Sequence, residues 1–406
     1  MKQYTGLDVH KQYTVATMLD DSGTVQRQLR FRTQPAELRA FAQCLGPDDA
    51  VALESTTNAA AVYGLLAQHA GRVVISNPLQ TKAIASARIK TDKVDSTVLA
   101  QLLRSGFLPT VWMPDAHTGV LRQRCSYRQA LVRQRTGVKN RIHAILHRNL
   151  VAQPQCTDLF GARGKRWLQT VELPEHERWQ LDQELALYEF LDRQIAAAEE
   201  VIAKRLQPRD ELELLLSLPG VGVQVGVGML ATIGDITRFI TPKQLVSYLG
   251  LNPVVRQTGN HCWTGPISHC GRSHARWLLV EAAQAAVRVP GPLRAFYLRL
   301  RKRKGHNKAI VATARKLCVI MWHMLTTGEP YRWAPPVHTQ EKLRGFQILA
   351  GAAKRATGPA KGQPSGGGRA AYLARRKADH DAAKAAEADY KRFLRERTAS
   401  RRERGS

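Results

Sequence analysis

The chain has 406 residues, 44% of them hydrophobic, which is enough for two or three domains that each bury a core. Its 61 Lys and Arg outnumber its 33 Asp and Glu, so the net charge is +28 at pH 7. A charge of this size favours a phosphate-rich partner and predicts a nucleic-acid-binding protein. No apolar run of about 18 residues occurs, so we expect no membrane span. The first residues lead directly into a strand, so no signal peptide is expected.

The first hundred residues predict a mixed α/β domain. Strands alternate with polar turns, and the later strands are separated by helices. The predicted strands are 4–9, 13–18, 25–31, 50–54 and 72–76, and the predicted helices are 35–45 and 57–69. Three antiparallel strands followed by alternating helices and strands predict a ribonuclease H-like domain. From about 92 to 150 the pattern is helical.

The helix expected over 116–150 carries many cations and almost no acids, with apolar residues at helical spacing between them. Such a helix is expected to lie along nucleic-acid phosphates, with an ordinary solvated helix face as the alternative. The candidate contacts on this helix are Arg122, Arg124, Arg128, Arg133, Arg135, Lys139 and Arg141.

Acidic residues return over 175–215, where Leu and Ile at roughly helical spacing predict a long helical or coiled-coil arm for self-association. The following Pro219-Gly220-Val221-Gly222 is typical of a helix-hairpin-helix. There, the backbone N–H groups of Gly220 and Gly222 would hold a phosphate. A purely structural turn between helices is the alternative.

The last segment is rich in Gly, Ala, Lys and Arg and has few large apolar residues. It predicts a flexible linker followed by a marginal, solvent-exposed helix. The chain is thus expected to comprise a catalytic domain with its basic helix (1–150), a helical arm (151–211), a mostly α-helical second domain (212–335) and a basic tail (351–406).

Four carboxylates stand where a two-metal nuclease needs them. Asp8 lies in the first strand and Glu54 ends the short buried strand, so both side chains meet at one edge if the strands are neighbours. Asp92 and Asp95 lie three apart at a helix start and share one face. Mg²⁺ prefers carboxylate and phosphate oxygens, and a pair of ions clamps the attacking and leaving oxygens of a phosphodiester. The sequence therefore predicts one or two Mg²⁺ ions, with Mn²⁺ as a substitute.

A zinc site is disfavoured. The six cysteines are scattered, which is typical of reduced thiols in a cytoplasmic protein. The one cluster with histidines lacks the spacing of a structural zinc site, and its members are His261, Cys262, His269, Cys270 and His274. His10 is interpreted as a residue near phosphate rather than as a metal ligand.

The carboxylate motifs resemble those of the insertion-sequence "one-ten" transposases, also called Piv/MooV-like, which carry a RuvC-like DEDD catalytic domain. The matching stretches are Gly6-Leu7-Asp8-Val9-His10-Lys11, Glu54-Ser55-Thr56 and Lys90-Thr91-Asp92-Lys93-Val94-Asp95. The resemblance continues in Tyr248-Leu249-Gly250-Leu251-Asn252-Pro253 and in the stretch from Gly265 to Ala283, and it covers roughly residues 1–330. Lys11, Arg272 and Arg276 lie in these motifs and are candidate nucleic-acid contacts.

The resemblance implies a specific activity. Members of that family excise and insert their own mobile element with a metal-bound carboxylate quartet and a serine nucleophile from the second domain. A structured bridge RNA guides them by pairing with donor and target DNA. They act as dimers that assemble into tetramers, with active sites shared between subunits. The expected location is the prokaryotic cytoplasm, at the nucleoid.

One departure concerns the nucleophile. Where the family has serine before glycine, this chain has Thr258 before Gly259. Threonine keeps a hydroxyl that can attack phosphorus, although a secondary alcohol is more hindered. Ser268 or Ser273 is an alternative nucleophile, and loss of the step is the third possibility. Arg272 and His269 also differ from the asparagine and lysine that are common in the family.

Three functions therefore compete. A transposase would use Asp8, Glu54, Asp92 and Asp95 with the Thr258 hydroxyl and form a covalent DNA intermediate. A structure-specific endonuclease, such as a Holliday-junction resolvase, would use water instead. An inactive relative would bind nucleic acid without cleaving it.

Overall fold

A computed structural model of the chain describes residues 2–85, 91–152, 154–206, 210–268, 270–353 and 366–403. The chain divides into two compact units, Met1–Asp115 and Ala116–Ser406. The sequence placed a boundary near 150 instead. The difference arises because the basic helix packs its apolar side against a later helix of the second unit, as described below.

Over residues 2–85 and 91–115, the first unit is a six-stranded mixed sheet with four helices. Its elements are β1 (Tyr4–Val9), β2 (Tyr13–Leu19), β3 (Val25–Arg32), α1 (Pro35–Ala42), β4 (Ala50–Glu54), α2 (Ala59–Leu66), β5 (Arg72–Ser76), α3 (Pro78–Ile84), α4 (Asp92–Arg104) and β6 (Thr110–Val111). The strand order is β3-β2-β1-β4-β5-β6, in which β1 pairs antiparallel with β2 and parallel with β4. All five predicted strands form. The short β6 falls in a stretch that was expected to be helical.

Helices cover both faces of this sheet, so most residues of its central strands β1 and β4 are buried. Alternate residues of β4 serve two separate cores, as the twofold periodicity of a strand requires. Val51 and Leu53 join the core beneath α1 and α2. Ala50 and Ala52 join the core formed with Leu99 of α4. The position of α4 is therefore determined by packing on the sheet.

The second unit is mostly helical. Its elements are α5 (Ala116–Arg148), α6 (Ala162–Thr170), α7 (Glu175–Leu206), α8 (Asp210–Leu216), α9 (Val223–Ile233), a 3₁₀ turn (Ile236–Arg238), α10 (Pro242–Tyr248), β7 (Pro253–Thr258), β8 (His261–Ile267), α11 (Ser273–Ala286), α12 (Pro292–Lys304), α13 (His306–Thr327), α14 (Pro336–Leu349) and α15 (Gly366–Glu403). Helices α5 and α7 pair through an apolar seam that includes Ile142, Ile145, Leu181 and Leu191.

Within the described ranges, α13 alone has the length and composition of a helix able to cross a membrane. Its apolar residues nevertheless lie in the centre of the unit's main core, where Leu317, Cys318 and Met321 are fully buried. Packing against α8, α10, α11 and α12 accounts for the apolar character of this helix.

The tail behaves differently from the prediction. Helix α15 does form, but it docks on the second unit, and Ala383, Ala386 and Glu387 are buried. Small alanines on one face allow close approach, and Glu387 accepts a 3.0 Å hydrogen bond from the Gly291 amide. The expectation of a merely solvent-exposed helix is therefore wrong for this part. Most of the expected linker, residues 354–365, lies outside the described residues.

Candidate functional site

Two of the four predicted carboxylates lie side by side on the sheet. Leu7 of β1 pairs with Leu53 of β4 in a parallel register, so the residues that follow, Asp8 and Glu54, leave the same edge of the sheet. Both strands end there, since β1 ends at Val9 and β4 at Glu54 itself. Their positions confirm that the two strands are neighbours, as the sequence argument required.

A glycine brings the other two acids to this edge. A Cβ on Gly6 would lie 2.0 Å from the backbone oxygen of Ser96, so only glycine lets α4 pack this closely on β1. A buried 2.8 Å hydrogen bond between the Thr17 and Ser96 hydroxyls holds the contact. Asp92 and Asp95 occupy the first turn of α4, above the end of β1.

Asp8 and Asp92 converge on His10. The His10 Nε2 atom lies 3.1 Å from Asp8 Oδ2 and 3.2 Å from Asp92 Oδ1. One donor atom from each of the three residues fits within 4.8 Å, which makes them the one group of three possible metal ligands in the described part of the chain. The Tyr13 hydroxyl donates a 2.9 Å hydrogen bond to Asp92 Oδ2. The Arg30 guanidinium lies 4.0 Å from the centre of the Tyr13 ring.

The electrostatics of the cluster favour a cation. Burial raises the pKa of Asp8, and the nearby charges of Asp92 and Asp95 raise it further, while His10 opposes them. The hydrogen bond from Tyr13 is the main cause that lowers the pKa of Asp92. Relative to a free carboxyl group, ionisation is therefore favoured for Asp92 and disfavoured for Asp8. Carboxylate oxygens suit a hard divalent ion, so the residues present fit Mg²⁺.

Two residues of this site were not assigned to it from the sequence. Tyr13 was read only as part of a strand, and His10 was not treated as a possible ligand. The pairing of β1 with β2 could have indicated both residues. In that hairpin Asp8 pairs with Val15 and the His10 amide donates to the Tyr13 backbone oxygen, so His10 and Tyr13 lie beside Asp8. Lys11, at the same turn, lines a cleft of about 630 Å³ together with Thr56 and Asn58.

The predicted basic helix turns out to be extensively paired within the protein. Four arginines of α5 form ion pairs with four acids of α7 at intervals of six to eight residues, as two antiparallel helices require. The pairs are Arg128–Glu199, Arg135–Asp192, Arg141–Glu184 and Arg148–Glu177. We call this set the ion-pair ladder. Its arginines stabilise helix packing and do not form a free phosphate-binding face.

Other residues of α5 also have internal partners. Arg122 donates to the backbone oxygens of Ala231 (2.7 Å) and Thr232 (2.6 Å), at the carboxyl end of α9. The Lys139 ammonium lies 4.5 Å from the centre of the Phe160 ring. Arg124 and Arg133 have no ion pair among the residues that the structure describes. They remain the α5 residues most available to phosphate.

The glycines of the predicted hairpin have different roles. Gly220 has a φ of +79°, and a Cβ there would lie 2.1 Å from the Ala282 backbone oxygen. Its role is close packing against α11. Gly222 precedes α9, and nothing lies within 4 Å of a Cβ placed on it. The turn between α8 and α9 is thus present, with space for a ligand at Gly222.

Thr258 ends β7 at the exposed tip of a two-stranded hairpin and pairs with His261. The turn passes through Gly259, whose φ is +58°. Of the alternative hydroxyls, Ser268 follows β8 and Ser273 begins α11. The geometry of the second unit does not distinguish among these three candidates.

Arg272 and Arg276 lie at the start of α11. The Arg272 Nε atom donates a 3.0 Å hydrogen bond to the Tyr248 hydroxyl, and Arg276 donates to the Leu249 backbone oxygen at 3.0 Å. Arg272 is exposed, so its remaining nitrogens face solvent. No metal-ligating group forms from His261, Cys262, Cys270 and His274 within the described residues. His269 and Lys90 lie outside them.

Comparison with known families and proteins adds independent information. A family described as "Transposase", with the label DEDD_Tnp_IS110, matches residues 5–149. A second, "Transposase IS116/IS110/IS902 family", matches residues 212–298. Together the two matches cover more than half of the chain.

Several curated proteins are similar to it. An insertion element IS116 uncharacterized 44.8 kDa protein from Streptomyces clavuligerus is 30% identical over 52% of this chain and 53% of its own length. The transposase for insertion sequence element IS1111A of Coxiella burnetii is 32% identical over 35% of this chain and 40% of its own length. The pilin gene-inverting protein of Moraxella bovis is 26% identical over 65% of this chain and 75% of its own length. The chain spans about half the length of the first curated relatives that it matches.

Proposed function

Since this chain belongs to the IS116/IS110/IS902 family of transposases, we propose that it is an enzyme that cuts and rejoins DNA to move a genetic element. The observation that carries this proposal is the convergence of Asp8 and Asp92 at the end of β1, with Asp95 close enough to raise the pKa of Asp8. Mutually repelling carboxylates in a strongly basic chain are typical of a site that holds a cation.

The first unit is proposed to be a ribonuclease H-like domain of the RuvC type. The support is its strand order, in which three antiparallel strands are followed by two parallel strands and a helix carrying acids packs on β1. The second unit is proposed to be the transposase domain, with α8, α9 and their turn as a helix-hairpin-helix. Space at Gly222 supports a phosphate at that turn.

Asp8, Glu54, Asp92 and Asp95 would hold one or two Mg²⁺ ions, or Mn²⁺ in their place. When bound, such an ion polarises a phosphodiester and stabilises the charge that develops during its cleavage. Tyr13 orients the Asp92 carboxylate through its hydrogen bond. His10 contacts both Asp8 and Asp92, and its ring packs 4.8 Å from that of Tyr13, so it helps to orient both acids.

The Thr258 hydroxyl is the proposed nucleophile. Its oxygen forms a bond to phosphorus as the bond to the leaving deoxyribose oxygen breaks, and its proton passes to a base or solvent. The product is a phosphodiester between protein and DNA, which a second DNA strand end reopens by the reverse attack. The exposed position of Thr258 at a hairpin tip supports this role, because the hydroxyl is accessible to a DNA backbone.

Trapping the covalent protein–DNA adduct distinguishes the proposed transposase from a nuclease that uses water and from an inactive relative. A DNA substrate that is nicked at the joining site releases its leaving end, so a covalent product should accumulate. We expect the adduct with wild type and with Thr258→Ser, and its loss with Thr258→Val. Adduct loss with Ser268→Ala or Ser273→Ala instead would reassign the nucleophile. Metal-dependent cleavage without any adduct would favour the resolvase-type nuclease.

DNA and a guide RNA are the proposed partners. Lys11, Arg124, Arg133 and Arg272 are the exposed or half-buried cations proposed to contact phosphates. Each phosphate contact contributes to the salt dependence of binding. We therefore expect Arg133→Gln to reduce the slope of log affinity against log salt by about 1. Arg135→Gln, which removes a cation of the ion-pair ladder, should leave that slope nearly unchanged.

Self-association is proposed to use the outer face of α7. The inner face of this helix is occupied by α5, whereas Trp179, Leu187, Phe190 and Val201 are 41–66% exposed. A second copy would cover these apolar residues. Light scattering should show an oligomer for wild type and a monomer for Phe190→Glu. An unchanged mass for that variant would exclude this face.

The central test is a strand-joining reaction on DNA that carries the ends of the element, with its non-coding RNA and Mg²⁺ present. Asp8→Asn should abolish joining, because it removes a charged oxygen ligand. Asp21→Asn is the matched control, since Asp21 is an exposed carboxylate of the same sheet, located in the turn between β2 and β3. Joining by Asp8→Asn at the wild-type rate would overturn the proposal. Binding of nucleic acid without cleavage by wild type would favour an inactive relative.

A further inference from the structure

The second unit contains an aromatic cavity that the proposed reaction does not use. It has a volume of about 280 Å³ and lies among α12, α13, the segment 329–333 and α15. Phe296, Tyr331, Trp333 and Tyr390 contribute aromatic side chains to its wall. Drug-sized ligands occupy pockets of roughly 300–1,000 Å³, so this cavity suits a single planar group.

The aromatic side chains are arranged so that some surface remains available. Tyr331 is buried and its backbone N–H donates a 3.0 Å hydrogen bond to the Ser217 hydroxyl, which secures the segment. Trp333 is 41% exposed, and its ring centre lies 5.5 Å from that of Tyr331 at an interplanar angle of 66°. Trp333 therefore presents free ring surface beside a rigid neighbour.

The tail supplies one wall of the cavity. Glu387 is 7% exposed and accepts hydrogen bonds from the Gly291 amide (3.0 Å) and from Lys391 (2.6 Å). The Gly291 contact holds α15 against the start of α12, whereas Lys391 belongs to α15 itself. Tyr390 follows Glu387 by three residues, so the anchored turn of α15 also presents Tyr390 to the cavity.

The charges around the cavity favour an anion. Two cations, Lys316 and Arg332, line it against one acid, Glu329. The Arg332 guanidinium lies 5.6 Å from the centre of the Trp333 ring, and that of Arg299 lies 5.6 Å from the centre of the Phe296 ring. A ligand with a flat apolar body and an adjoining negative charge matches both properties.

We propose that this aromatic cavity binds an unstacked base of a single-stranded nucleic acid, with the adjacent phosphate near Lys316 and Arg332. Bases stack on aromatic side chains irrespective of sequence, and cations beside them hold the backbone. The inference rests on the proposed function, because the nucleic acid that the enzyme handles supplies the single strand. A free nucleotide has the same chemistry and is the alternative source.

The test uses the full-length protein and a fluorescently labelled single-stranded oligonucleotide, with anisotropy as the readout. Removing one stacking partner typically weakens binding by about tenfold or more. We expect losses of that size for Trp333→Ala and Tyr390→Ala, and little loss for Tyr390→Phe, which keeps the ring. Phe107→Ala is the control, since Phe107 is an exposed aromatic residue outside the cavity. All of these variants should bind a blunt duplex with the same affinity as wild type.

A second measurement keeps the test independent of folding defects in the variants. Ultraviolet cross-linking of wild type to a strand that contains 5-bromouracil should label peptides that contain Trp333 or Tyr390. Unchanged affinity of both alanine variants, or cross-links confined to other peptides, would overturn the proposal while leaving the proposed function intact. Absence of any nucleic-acid binding by wild type would overturn both. Equal affinity for adenosine monophosphate would assign the cavity to a free nucleotide instead of a strand.

Discussion

The carboxylate cluster of the first unit and the ion-pair ladder of the second use the same kinds of side chain in opposite ways. In the ladder, each acid of α7 contacts an arginine of α5. In the cluster, Asp8 faces two other aspartates, and its pKa is raised by burial and by their charges. The chain has a large excess of Lys and Arg, yet the side chain that contacts both Asp8 and Asp92 is His10.

The difference shows how structural and functional acids can be separated in a basic protein. An acid that faces arginine contributes to packing, and its removal costs stability. An acid held beside other acids costs stability, and its burial is explained by a function that needs the charge. Substitutions in the two regions should therefore have opposite consequences for stability and activity.

The largest effect is expected from Gly6→Ala. The new methyl group would meet the Ser96 backbone at 2.0 Å, so α4 must move away and carry Asp92 and Asp95 with it. We expect joining activity to fall to background and the first unit to lose about 1–3 kcal/mol of stability. Gly64→Ala in α2, where the added carbon meets open space, should leave joining unchanged and stability unchanged or raised by up to about 1 kcal/mol. Full activity of Gly6→Ala would mean that α4 does not position the acids.

Tyr13→Phe should have an intermediate effect. It removes the hydrogen bond to Asp92 but keeps the ring beneath Arg30. Loss of such an orienting partner typically costs about 10–100-fold in metal affinity or activity. We expect weaker Mn²⁺ binding, measured by electron paramagnetic resonance, and a higher Mg²⁺ requirement for joining. Tyr63→Phe in α2 is the control. Unaltered Mn²⁺ affinity would restrict Tyr13 to a structural role.

One substitution from each region tests whether paired and clustered acids have opposite effects on stability. Glu199→Gln breaks a ladder pair in which both side chains are about one-fifth exposed, and it should lower the free energy of unfolding by about 1 kcal/mol. A double-mutant cycle with Arg128→Gln measures the interaction free energy between the two side chains. Asp8→Asn, measured by urea unfolding without divalent ions, should leave stability unchanged or raised. A loss of stability in Asp8→Asn equal to that in Glu199→Gln would remove the distinction between the two regions.

The last effect concerns His274 and is absent at neutral pH. Burial and the charges of Arg133 and Arg128 lower the pKa of His274 to about 4, from 6.5 in an unfolded chain. Between these values the unfolded chain binds the proton more readily, so stability should fall as pH drops from 6.5 towards 4. His274→Gln should flatten this part of the profile in urea unfolding, whereas His176→Gln, at an exposed site, should not. Identical profiles for His274→Gln and wild type would contradict the assignment.

The sheet could be predicted because each strand has a local signature. Apolar and β-branched runs end at polar turns, and the five predicted strands form within one or two residues of the expected bounds. The common location of Asp8 and Glu54 at one edge of the sheet could also be predicted, since both lie near the ends of strands that were expected to be neighbours. The packing of α4 against Gly6 could not be predicted from local patterns. Glycine is required at position 6 because the Ser96 backbone lies against it, and that contact is known only from the fold.

The basic helix shows the limit of composition as a guide. Its cations predicted a phosphate-binding surface, yet four of its arginines have acids of α7 as partners. The reversed spacing of arginines and acids in the two segments is present in the sequence. It becomes informative only once the helices are known to be antiparallel neighbours. The tail likewise docks through Glu387 and small alanines, a contact that no local pattern indicates.

The sequence by itself determined the mixed sheet, the helical second unit and the family motifs, and it singled out four acids as candidate ligands, because these depend on residue type and short-range spacing. The tertiary structure decided which charges are paired within the protein and which remain to bind a ligand. Whether a charge is neutralised depends on side chains distant along the chain, as with Arg128 and Glu199 or Asp8 and Asp92. The energy of a charge depends on what lies within a few ångströms of it, and only the fold determines those neighbours.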